Sequence, residues 1–138
     1  MNFDSLYYLI FQQLNVVGSS AADYMYAGLE IKGDVKVLIR GLGKGLAPGV
    51  AGALDDAMIT VRKVTANGTV VTLVDIDSND NWQTHASAST LTQRGQAPTD
   101  SSDAAMIIEL SEGLYTIEVK SAKGGQGVAL VEVYEIVN

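Results

Sequence analysis

His85 is the sole histidine of this 138-residue chain, and cysteine is absent. Imidazole and thiolate chemistry are therefore narrowly confined. A Ser-His-Asp arrangement would have to be built on His85, and a histidine set among small residues has no evident means of fixed orientation, so it is expected to be solvated. Without cysteine there is no disulfide framework, thiolate zinc site or thiol nucleophile. Paired carboxylates occur at Asp55-Asp56 and at Glu132 with Glu135. Asp55-Asp56 sits in a turn-like motif, and the second pair points to opposite faces of a strand, which suits neither for acid–base work. Glu132 shares its face with Val128, Leu130, Tyr134 and Ile136 and reads as a half-buried carboxylate needing a partner such as Arg40 or Arg62. The chain is not read as an enzyme.

Oxygen ligands are denser. Asp75, Asp77, Asn79 and Asp80 follow one another with the one, three, five spacing that opens a calcium loop. The sixth position is Asp80 where an EF-hand has glycine, and the twelfth is Ala86 where it has a bidentate glutamate. A calcium site of another kind would need Asp103 to fold back beside them. Otherwise these side chains cap a turn through their own backbone, and there is no cofactor. Trp82, the single tryptophan, reads as a buried anchor over the sandwich edge or as a stacking platform for a sugar. Gly41-Leu42-Gly43-Lys44-Gly45 lacks the spacing and the following Ser or Thr of a phosphate loop, and its glycines suit a sharp strand exit with positive φ.

The elements that must position these residues are strands. Leu114, Thr116, Glu118 and Lys120 alternate with Tyr115, Ile117 and Val119, giving one wet and one packed face. With residues 127–136 this segment predicts a hairpin across a glycine-rich turn. Turn signals recur at short intervals, with strands expected over 12–17, 24–31, 36–40, 58–65, 69–75, 105–110, 115–121 and 128–137. Asn67-Gly68 is the clearest hairpin turn, of the type that needs positive φ at both central residues. Residues 81–103 read as a long polar excursion between strands, suited to partner-facing contacts. The expected fold is all-β, an antiparallel two-sheet sandwich of jelly-roll or immunoglobulin-like topology. Its core is drawn from Val37, Ile39, Ile59, Val61, Val71, Leu73, Ile107, Tyr115, Ile117, Val119, Val131 and Val133.

Composition limits the partners. The chain is 47% hydrophobic and 18% charged, with a net charge of −7, which places it outside the disordered class. Its nine Lys and Arg are scattered, so nucleic acid and anionic membrane surfaces are poor partners. No apolar run is long enough to span a bilayer, and the start of the chain lacks a secretory signal pattern. One domain over 12–138 is expected, preceded by an apolar N-terminal extension over 1–11 carrying Phe3, Leu6, Tyr7, Tyr8, Leu9, Ile10 and Phe11. The extension fits a helix or a strand. It is either packed on its own domain or donated to a neighbouring copy.

Val37-Leu38-Ile39-Arg40-Gly41-Leu42-Gly43, Gly52-Ala53-Leu54-Asp55-Asp56, Asn79-Asp80-Asn81-Trp82, Ser102-Asp103-Ala104-Ala105, Gly113-Leu114-Tyr115-Thr116 and Gly127-Val128-Ala129-Leu130-Val131-Glu132-Val133-Tyr134 occur in that order. Together they resemble a β-sandwich module of bacterial secreted and surface proteins, which reads VLIRALGPSL, GAL-DP, NDNW, S-DAA, PGAYT and GVALVEVYD. That module is distantly similar to pre-peptidase C-terminal domains, accessory sandwiches without catalysis. The resemblance runs from about Gln12 onward. It departs at Lys44-Gly45, where the module has Pro-Ser, and residues 1–11 have no counterpart in it.

The resemblance implies an extracellular or cell-surface location. A free-standing copy with an apolar extension is expected to be a structural subunit that self-assembles into a filament or surface layer through residues 1–11. The alternatives are a polysaccharide-binding accessory module using Trp82, His85 and the loop to Asp103, and a virion decoration or tail protein.

Overall fold

The structure is a computed structural model and describes residues 10–137. Eight strands form in chain order: β1 (Ile10–Val17), β2 (Met25–Ile31), β3 (Val35–Leu42), β4 (Ala57–Asn67), β5 (Val70–Asn79), β6 (Ala104–Leu110), β7 (Gly113–Ser121) and β8 (Gly127–Ile136). They make two four-stranded antiparallel sheets, ordered β1-β8-β3-β6 and β2-β7-β4-β5. The expected two-sheet sandwich is present, and this strand order is that of a jelly roll, not of an immunoglobulin domain.

Alternation explains why the sheets close on each other. In β2, Met25, Ala27, Leu29 and Ile31 are buried while Tyr26, Gly28 and Glu30 are exposed, so one face of the strand seeks cover. Val37, Ile39, Ile59, Val61, Tyr115, Ile117, Val119, Val131 and Val133 meet these residues in one core. Burying each such aliphatic side chain contributes about 1.5–3 kcal/mol before chain entropy is set against it.

Three expected core residues are not in the main core. Val71 is 65% and Leu73 51% exposed. Register puts both on the solvent face of their sheet: Leu73 lies opposite Val64, itself opposite the exposed Leu114, and Val71 lies opposite Ala66 on the same face. The register shift between Val61 and Arg62 sets this phase. Ile107 also lies elsewhere, against a second, smaller cluster of Leu38, Leu91, Ala105 and Ile136. Glu118, on the face read as wet, is buried because β7 is a central strand with Arg62 folded over it.

The hairpin turn is displaced by one residue from Asn67-Gly68. Asn67 pairs with Val70, so Gly68 and Thr69 form the loop, with left-handed φ (64°) at Gly68 alone. That is the requirement of a II′ turn.

Residues 81–103 form the expected excursion and contain the short helix α1 (Ala88–Gln93). Leu91 of α1 and Trp82 pack on Leu38 and Ala105, so the excursion covers the outer side of the β3–β6 half of its sheet.

Candidate functional site

The excursion returns His85 to the protein surface under tight control. Its Nε2 lies 2.8 Å from Asp77 Oδ2 and its Nδ1 2.7 Å from Ser87 Oγ. The Ser87 backbone N–H donates to the same Nδ1 at 3.1 Å, so the ring hydrogen sits on Nε2 and donates to Asp77. The side chain is only 12% exposed. His85 is therefore fixed by both ring nitrogens and not solvated, contrary to the sequence expectation. The residues that hold it come from β5 and from its own loop, a coincidence that local sequence does not announce.

Ser87, His85 and Asp77 thus stand in the order of an acyl-transfer relay. His85 and Ser87 border an open cleft of about 390 Å³ also lined by Lys36, Arg94 and Glu109. The Ser87 hydroxyl nonetheless has two internal tasks. It donates to His85 and accepts the Ile107 backbone N–H at 2.9 Å. A nucleophile must offer its oxygen to a substrate, whereas this one closes the outer edge of β6. Asn79 does the same one pair along, its Oδ1 accepting the Ala105 N–H at 3.1 Å. The relay is best described as a staple that caps a sheet edge.

Asp103 is fully buried and accepts backbone N–H bonds from Gly43 at 3.0 Å and Gly45 at 2.9 Å. The glycine-rich loop does cradle an anion, and the anion is the protein's own carboxylate. A Cβ at Gly45 would run into that carboxylate, and one at Gly43 into the Leu54 carbonyl. Close approach, not positive φ, is why glycine stands at these positions; neither has left-handed φ. Burial raises the Asp103 carboxyl above the usual range, and the amides of Gly43 and Gly45 pull against it.

The five oxygen ligands proposed for calcium do not converge. Asp75 pairs with Arg62 at 2.8 Å, Asp77 with His85, and Asn79 with the backbones of Asn81 and Ala105. Asp103 is held by the glycine loop. Among the described residues no three His, Cys, Asp or Glu side chains gather as a metal site. Asp80 instead faces Asp56, which precedes β4 with left-handed φ of 56°. Desolvation first, then the hydrogen bond and charge of Asp56, push Asp80 up to about 6. Below that pH the Asp80 carboxyl holds a proton.

Arginines stitch the sheets. Arg40 Nε and Nη2 grip Glu132 Oε2 at 2.9 and 2.7 Å from the directly opposed position on β3, meeting the expected need of that carboxylate. Arg62 joins Asp75 on β5 to Glu118 on β7. Trp82 is half-buried against the smaller cluster.

Of the apolar extension, Phe3, Leu6, Tyr7, Tyr8 and Leu9 lie outside the described residues. Ile10 and Phe11 begin β1, opposite Tyr134 and Val133 of β8. Phe11 packs on the main core of its own sandwich. β1 is an outer strand, and Leu14 and Val16 on it are exposed. Among the described residues no helix is long and apolar enough to cross a membrane. No family model matches the chain, and no curated protein is significantly similar to it.

Proposed function

We propose that this chain is a non-enzymatic structural subunit that self-assembles into an extracellular filament or surface layer, with its N-terminal segment making the contact between copies. One observation carries the reading. The apolar run that begins at Phe3 feeds into an outer strand, β1, whose Leu14 and Val16 remain exposed. A segment joined in sequence to an outer strand suits contact with a second molecule at a sheet edge, where strand addition supplies main-chain hydrogen bonds without a preformed pocket. The extracellular setting rests on the motif resemblance.

The jelly roll also serves in virion shells, which supports a decoration or tail protein as the second reading by fold analogy alone. Sedimentation of the full chain beside a chain lacking residues 1–9 tests the proposal. The truncation keeps β1 whole. Large species that collapse to monomer on truncation support it, and identical monomers in both samples reject it.

A further inference from the structure

Four strands stand at sheet edges, and they are not treated alike. The outer N–H groups of β6 at Ala105 and Ile107 are capped by Asn79 and Ser87. β5, which lies beside β6 in the facing sheet, pairs only with β4. Its residues Val70, Val71, Leu73, Val74 and Ile76 are all exposed. It carries no lysine or proline, and its two central charges are engaged, Asp75 by Arg62 and Asp77 by His85. Proteins ordinarily blunt such an edge with charge, proline or cover. A register shift between Val61 and Arg62 leaves Ile76 unpaired and ends the regular edge there. The usable stretch is Val70–Asp75.

We infer that this edge is the acceptor for residues 3–9 of a second copy, which adds as a fifth strand beside β5. The inference rests on the self-assembly reading above and names the surface that it requires. Two features select this occupant. The edge offers apolar side chains on both faces, Val71 and Leu73 on one and Val70 and Val74 on the other. Residues 3–9, extended, place Leu6 and Tyr8 on one side and Phe3, Tyr7 and Leu9 on the other. A strand apolar on both sides suits an edge uncovered on both sides.

Reach then decides whose segment it is. β1 packs over β2, and β6 over β5, so the chain leaves β1 at the sandwich edge opposite the acceptor. Crossing to its own β5 spans roughly 17 Å, three strand spacings of about 4.8 Å and one sheet separation of about 10 Å. Residues 1–9 extend about 30 Å at most, which leaves about four residues for pairing, too few to line Val70–Asp75. A neighbour's segment has no such limit. Donor and acceptor sit on different edges, so the contact is heterologous and propagates as an open chain of subunits.

The chain has no native cysteine, which makes disulfide trapping clean. Leu6→Cys and Tyr7→Cys, each combined with Thr72→Cys in the full chain, cover both donor faces. Mild oxidation is expected to give a ladder of disulfide-linked multimers in at least one of them. Tyr7→Cys with Gly28→Cys on the β2 edge is expected to give none. In parallel, Val71→Lys with Leu73→Lys is expected to return the assembled protein to monomer mass with its melting temperature unchanged, both side chains being exposed. Equal ladders from the Gly28→Cys control, or an intrachain disulfide in monomers, overturn the acceptor assignment. Wild-type-like assembly of the double lysine variant, with assembly still lost on removing residues 1–9, places the acceptor elsewhere and leaves the donor reading standing. A wild-type chain that never assembles removes both.

Discussion

Replacing Asp103 with alanine leaves the amides of Gly43 and Gly45 without their acceptor inside the protein. Two buried donors lose a charged partner, and the expected cost is about 3 kcal/mol, read as a lower midpoint in urea unfolding. Asp80 supplies the pH dependence. Its folded-state value of about 6 stands above the ordinary 3.8, so the native state takes up a proton that the unfolded chain does not hold. That stabilisation is complete below the unfolded value and is lost as pH rises through 6. Stability is therefore expected to increase from pH 7 toward pH 4, and Asp56→Asn should flatten the slope by removing the neighbouring charge, with Lys123 the opposing cation nearby. Asp103, also raised, acts in the same direction. Sequence made the need of Glu132 for an arginine legible, because a charge on an apolar strand has to be paired. The fixation of His85 was not legible, since Asp77 of β5 and the Ser87 loop that is tied to β6 meet around it only in three dimensions.

At the scale of elements, turn signals between apolar stretches located the strands, and alternation showed the last hairpin most plainly, because the two-residue period of a half-buried strand is written into side-chain types. It also assigned Val71 and Leu73 to the core. Periodicity says that two faces differ or that both are apolar; whether anything covers them depends on strand order and strand length, which arise from long-range pairing. The register shift between Val61 and Arg62, which turns Val71 and Leu73 to the face of the exposed Leu114, is such a property. A paired stability measurement separates the two kinds of apolar residue. Ile117→Ala, at the centre of the core, is expected to cost about 3 kcal/mol. Leu73→Ala, on the exposed edge, is expected to stay within about 0.5 kcal/mol. Equal costs would mean that the β5 edge is covered within a single chain.

For the whole molecule, the jelly roll is a scaffold, and scaffolds of this kind host many functions. What distinguishes this one is the uneven defence of its edges: β6 capped by side chains, β5 bare and apolar, and an apolar segment leading into β1. Negative-stain electron microscopy of the full chain beside a chain lacking residues 1–9 addresses that asymmetry directly. Fibres or sheets from the full chain, absent after truncation while the shortened protein keeps its β-sheet circular dichroism, are the expected result. Dispersed monomers from the full chain, or the same assemblies from both, would contradict a subunit joined through its N-terminal segment.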